Sequence, residues 1–116
     1  MQTHKGTDYF EYDLYKASIK GNLFERFFHK IRIREIEKKI KLSEKNILDY
    51  GCGTGAILLP LAQKYKTSNF EGYDISKKNL EKCKSYSIKN DLEINLYNSH
   101  PNKKYDIVLL INVIEY

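Results

Sequence analysis

Asn46-Ile47-Leu48-Asp49-Tyr50-Gly51-Cys52-Gly53-Thr54-Gly55-Ala56 is the stretch on which the fold turns. Its first five residues form a short, mostly apolar run bounded by glycine, which reads as a strand. Three glycines at alternate positions follow at once. Helical spacing then resumes from Ala56 through Leu58, Leu59, Leu61 and Ala62 to Tyr65. A strand that feeds a glycine loop and then a helix opens a βαβ unit. Glycine suits such a loop because it tolerates positive φ and lets the backbone approach a ligand without a Cβ in the way. The helix start adds unpaired N–H donors and a positive dipole end, a setting that welcomes a carboxylate or phosphate. Pro60 is cheap only in a first turn, so this helix begins close to it or bends there.

Downstream, Asn69-Phe70-Glu71-Gly72-Tyr73-Asp74 reads as a second strand that ends on an acid. Ser76 is the expected N-cap of a helix from Lys77 to about Ser87. Leu92 to Tyr97 alternates apolar and polar residues and suits an edge-like third strand. Residues 98–104 form a loop. Tyr105-Asp106-Ile107-Val108-Leu109-Leu110-Ile111 is an apolar, β-branched run that fits a buried parallel strand. Strands alternating with helices imply right-handed crossovers and a parallel sheet, here in the order 3-2-1-4. The predicted class is α/β, with one domain over residues 22–116 behind an N-terminal segment 1–21.

Upstream, Gly21-Asn22 breaks a polar, aromatic segment and offers an N-cap. From Leu23 to Leu42, apolar residues recur at Phe24, Phe27, Phe28, Ile31, Ile36 and Ile40 in steps of three, four or five. This predicts an amphipathic helix with one apolar side.

Composition narrows the function classes. Hydrophobic residues are 41% and charged residues 30% of 116, which is ordinary for a soluble globular chain. No apolar run reaches the length of a membrane span, and the N-terminus lacks the apolar core of a secretory signal. Cys52 and Cys83 make no disulfide framework, so a reducing cytoplasm is the expected compartment. The net charge of +5 is uneven: residues 1–45 hold 11 Lys/Arg against 7 Asp/Glu. Lysines dominate that surplus, which favours solubility over base or phosphate readout, and nucleic acid is not an expected partner. His4, His29 and His100 have no partner at metal-ligand spacing, so no metal is expected.

In an open α/β sheet a ligand sits beyond the carboxyl ends of the strands, beside the first one. Asp74, 23 residues after Gly51, stands at the end of the second strand, where a carboxylate can accept both hydroxyls of a ribose. Gly51-x-Gly53-x-x-Ala56 also satisfies the dinucleotide pattern, so an NAD or FAD domain is a second reading. Three features weigh against it. Asp49 stands where dinucleotide loops usually carry an apolar residue, the glycines fall as G-x-G-x-G, and 45 residues precede the first strand.

The segment Ile47 to Gly55 closely resembles motif I of class I S-adenosyl-L-methionine (SAM)-dependent methyltransferases. Phe70 to Ser76 resembles the segment that follows it, and Tyr105-Asp106-Ile107-Val108 the start of the family's fourth strand. Asn112-Val113-Ile114-Glu115-Tyr116 is similar to the continuation of that strand, with Tyr116 where histidine is common. The resemblance implies a Rossmann-like three-layer fold, SAM as cofactor and a small molecule, lipid or sugar as methyl acceptor. Carried onto this chain, it implies that Gly51, Cys52, Gly53 and Gly55 line the methionine portion and that Asp49 braces the loop near the cofactor amino group. Asp74 would hold the ribose hydroxyls, Ile75 would pack on the adenine, and Asn98 would meet the adenine amino group. Tyr12 or Tyr15 would close over the methyl-donor end. Cys52 reads as a small packing residue.

Methyl transfer from a sulfonium needs mainly proximity and alignment. No general base is assigned, with Glu115 a candidate by position only; Asn112 is an expected cofactor contact. The chain lacks the fifth strand and final hairpin of the family's seven-stranded sheet, which leaves the Tyr105–Ile111 strand edge open. The expectation is a truncated or partial enzyme, with dimerisation through that edge as the other way to cover it. A non-catalytic SAM-binding module is the alternative of a different class.

Overall fold

The structure, a computed structural model, describes residues 15, 16, 19 and 23–111. Along the chain lie α1 (Leu23–Lys39), β1 (Asn46–Tyr50), α2 (Leu58–Lys64), β2 (Asn69–Tyr73), α3 (Lys77–Lys89), β3 (Asn95–Tyr97) and β4 (Ile107–Leu109). The strands form one sheet in the order β3-β2-β1-β4 with every pair parallel, which is the predicted topology. Register puts Ile47 beside Phe70 and Ile107, and Asp49 beside Gly72 and Leu109. Side chains in register share a face. Ile47, Phe70 and Leu109 therefore join Leu58, Leu59, Leu61 and Cys83 in one buried core under α2 and α3.

Local signals explain the helix ends. Pro60 is the third residue of α2, inside the first turn where proline is tolerated, and the amides of Leu59 and Leu61 on either side donate to Gly55 O and Ile57 O. Ser76 caps α3, its hydroxyl accepting from Asn79 N at 3.1 Å.

The two crossovers through α2 and α3 both lie on the core face, because β1, β2 and β3 advance in one direction across the sheet. The chain from β3 back to β4 reverses that direction and, keeping the right-handed rule, passes over the other face. Among the described residues that face carries no helix. It carries residues 98–106, held by Glu71 from the middle of β2. Tyr105 donates its hydroxyl to Glu71 Oε1 at 2.7 Å and Lys103 Nζ lies 3.0 Å from Oε2. Asn95 and Asn69 add longer bonds to Oε2. Tyr105, predicted to start the last strand, is thus drawn into this cluster, and β4 begins two residues later.

Burial pushes the Glu71 carboxyl up, but the bonds from Tyr105, Lys103, Asn95 and Asn69 outweigh it and hold it down at about 2. A depressed carboxyl contributes stability that is complete above its ordinary value of 4.5 and is lost as pH falls toward 2. Glu71→Gln should cost about 1–2 kcal/mol at neutral pH. It should also flatten the acid limb of the stability curve over that window; a limb as steep as the parent's would remove Glu71 as its source.

α1 departs from its predicted pattern. Phe24, Phe27, Phe28 and Ile31 are exposed, Ile36 is buried, and Ile33 and Ile40 pack partly against the core. The five-residue step from Ile31 to Ile36 is the reason: at about 100° per residue it swings the stripe by about 140°. The helix carries two apolar faces, and one of them turns outward.

Candidate functional site

β1 ends on Tyr50 and the chain enters the loop with Gly51, Gly53 and Gly55 at φ of 91°, 58° and 97°. Gly53 and Gly55 are glycine for different reasons. A Cβ on Gly55 would lie 2.8 Å from Leu59 Cγ and 2.9 Å from Cys83 Sγ, so the loop needs a bare Cα to seat against α2 and α3. A Cβ on Gly53 would meet nothing within 4 Å. That side of the turn is open, as a loop kept clear for a ligand requires.

Backbone donors at this loop are largely paired inside the protein. Gly51 N and Cys52 N both donate to Tyr73 O, at 2.7 and 2.9 Å, and Gly55 N donates to Cys52 O at 3.0 Å. Gly53 N donates to Asp74 Oδ2 at 2.8 Å. The sequence led us to expect the amides to face a ligand. These four instead lock the turn, leaving open Cα surface at Gly53.

Asp74 stands where the sequence put it, at the rim beyond β2. Its Oδ1 accepts from Ser76 N at 2.8 Å, so one carboxylate ties the glycine loop to the start of α3. Each oxygen keeps a lone pair for a further donor. Ile75, next in the chain, is 74% exposed. Asn98, on the loop after β3, donates its amide to the carbonyls of Ile75 and Asp74 at 3.0 and 3.3 Å. Its side-chain oxygen keeps its acceptor capacity. Loop, acid, apolar side chain and amide oxygen thus gather at one end of the sheet.

Asp49 is the unusual member. Its side chain is fully buried, and neither carboxylate oxygen has a hydrogen-bond partner. Register sends it to the core face beside Gly72, behind the loop. Burial, reinforced by the charge on Asp74, raises its carboxyl from the ordinary 3.8 to about 7. A buried, unpaired acid is costly unless something cationic meets it.

Cys52 is buried with its sulfur 2.8 Å from where a Cβ on Gly72 would sit. A hydrogen bond with Cys83, burial and the nearby charges of Asp49 and Asp74 push its thiol well up. Its side chain packs inside the core beside Gly72.

Tyr15 does not close over the loop. Its ring stacks on Tyr86 of α3 at 4.3 Å and its hydroxyl accepts from Asn90, while its backbone N–H donates to Thr54 Oγ1 at 3.1 Å. Thr54 therefore ties the N-terminal segment to the loop, a role its place among the glycines did not announce. Tyr50, Tyr73 and His100 also cluster at this rim, with ring centroids 4.5 to 6.3 Å apart. Sequence reading missed this group because its members come from three separate segments. Tyr12, Asn112 and Glu115 lie outside the described residues.

Comparison with known proteins agrees with this arrangement. The chain is 41% identical over 96 residues to a ubiquinone biosynthesis O-methyltransferase of Rickettsia typhi, covering 74% of this chain and 38% of that protein. It spans a little over a third of the length of these curated relatives. The fold superposes on StiE O-MT with a TM-score of 0.67 at 25% identity, over 82% of this chain and 37% of that one. It also superposes on PKMT2 from Rickettsia typhi in complex with AdoHcy, with a TM-score of 0.51 at 29% identity, over 56% of this chain and 14% of that one. The family profile described as a methyltransferase domain matches residues 12–116, nearly the whole chain. With a parallel β3-β2-β1-β4 sheet, a glycine loop behind β1 and an acid closing β2, this chain belongs to the methyltransferase domain family.

Proposed function

We propose that this chain holds SAM against the Gly51–Gly55 loop and forms the cofactor-binding part of an enzyme that methylates a hydroxyl group on a small molecule. The observation that carries the reading is Asp49, a buried carboxylate without a partner, set behind an open glycine turn. A ligand with a cationic amino-acid end answers that carboxylate. A dinucleotide answers it badly, because its pyrophosphate would meet two acids, Asp49 and Asp74. When bound, SAM supplies a methyl group on a sulfonium, already activated for transfer.

The residues then divide the work. Gly53 gives close approach, Asp49 offers charge, Asp74 offers two acceptor oxygens to vicinal hydroxyls, and Asn98 offers one acceptor. Ile75 supplies apolar surface for a flat ring. An oxygen acceptor follows the names of the curated relatives and is a small-molecule reading. Pairing of the β4 edge with a second copy belongs to the same proposal, since Val108 and Leu110 are about half exposed.

Calorimetry decides between the readings. SAM should bind and NAD should not; binding of NAD alone would sink the assignment. Asp74→Ala should weaken SAM by about 1–3 kcal/mol, a factor of about ten to a hundred, through lost hydrogen bonds. An affinity equal to the parent's would take Asp74 out of the site.

A further inference from the structure

The outward face of α1 has no use in the site described above. Leu23, Phe24, Phe27, Phe28 and Ile31 are 76, 69, 58, 55 and 38% exposed. They are consecutive members of one helical face, spanning a sector of about 140° at 100° per residue. Phe28 touches both Phe24 and Phe27 edge to face, with centroids 4.9 and 6.0 Å apart, so the rings form one patch and not scattered contacts. An exposed apolar patch of this kind marks an interaction site.

The helix cannot roll to bury it. Its opposite side is anchored by Ile33, Ile36 and Ile40 in the core, and by Glu37, which accepts from Lys64 and from Tyr65 at the far end of α2. Rolling would expose the first set and break the second.

Charge selects the occupant. α1 carries six basic residues against three acidic ones; Glu35 pairs with Lys38 and Glu37 with Lys64. On the helical wheel Arg26 and Lys30 border one side of the apolar sector and Arg32 and Lys39 the other. Cationic side chains along both margins of an aromatic-aliphatic face are the arrangement of an interfacial helix, its rings in the acyl boundary and its cations among phosphates. We infer that the outer face of α1 docks this protein on an anionic lipid surface. His29 and Ile33 line a cavity of about 430 Å³ with Leu59 and Pro60 of the first turn of α2. That cavity lies on the inward side of α1, away from the exposed rings.

Sedimentation of the full chain with vesicles tests this. The chain should co-sediment with equimolar phosphatidylcholine and phosphatidylglycerol and not with phosphatidylcholine alone, and raised salt should release it. Phe27→Glu should weaken vesicle binding at least about tenfold, given the area of one aromatic ring. Because Phe27 is exposed, the thermal melt of that variant should match the parent's. Arg26→Glu with Lys30→Glu should abolish the preference for the anionic vesicles. Equal binding to both vesicle types, or no effect of Phe27→Glu, overturns the proposal. So does a chain that ignores vesicles but changes from dimer to monomer with Phe27→Glu, which would make the face a contact between copies.

Discussion

Gly55→Ala destabilises the domain by about 3–5 kcal/mol and lowers its melting temperature by more than about 10 °C, measured by circular dichroism. Two costs combine. At φ 97° an L-residue is strained, and the new methyl group would lie under 3.0 Å from the branch carbon of Leu59 and the sulfur of Cys83. Both neighbours are fully buried, Leu59 on α2 and Cys83 on α3, so neither can swing away without moving a helix. A domain of this size has about 5–15 kcal/mol in all, so much of the protein would be unfolded at 37 °C. Gly53→Ala is the matched comparison. It meets no atom within 4 Å and carries only the left-handed backbone cost, about 1 kcal/mol. It should fold, and it should lose SAM by at least about tenfold, because its methyl group fills the open side of the turn. If Gly53→Ala kept full affinity while Gly55→Ala melted low, the loop would be a packing device alone.

Asp49→Asn separates function from stability in the opposite sense. A carboxyl raised from 3.8 to about 7 binds its proton more tightly in the folded chain than in the unfolded one. Between those values the folded state holds more protons, so stability contributed by this group is complete below about pH 4 and is lost as pH rises through 7. The loss amounts to about 4 kcal/mol at 1.36 kcal/mol per unit. Asparagine carries no charge to bury. The variant should therefore be more stable than the parent at pH 8 by about 2–3 kcal/mol, and similar to it at pH 4. Its SAM affinity should fall at least about tenfold, through the lost charge. In the parent, affinity should rise with pH from 6 to 8 as Asp49 ionises. Urea titrations at the two pH values and calorimetry across the range give the readout; a variant less stable at pH 8 would contradict the raised carboxyl.

The windows of the two buried acids do not coincide. Glu71 governs the acid side below its ordinary 4.5, where pairing keeps it ionised. Asp49 governs the range up to 7, where the absence of pairing keeps it protonated. Two carboxyls on neighbouring strands are thus shifted in opposite directions because one has four donors and the other none.

Much of this protein was legible in one dimension. A strand into G-x-G-x-G into a helix, then an acid closing the next strand, determined the sheet order and the rim at which the glycine loop and that acid meet. Such signals are local: positive φ needs glycine, proline needs a first turn, and period-two and period-3.6 patterns need only neighbours in sequence. What only the tertiary structure decided involves residues far apart in the chain. The bond from Gly53 N to Asp74 crosses 21 residues, Tyr105 reaches Glu71 across 34, and Asn90 reaches Tyr15 across 75. Packing also determined which apolar face of α1 turned inward, since both faces are apolar enough to be buried and only one meets the core. Hydrophobic periodicity marks a face; only a neighbour in space determines whether that face is covered.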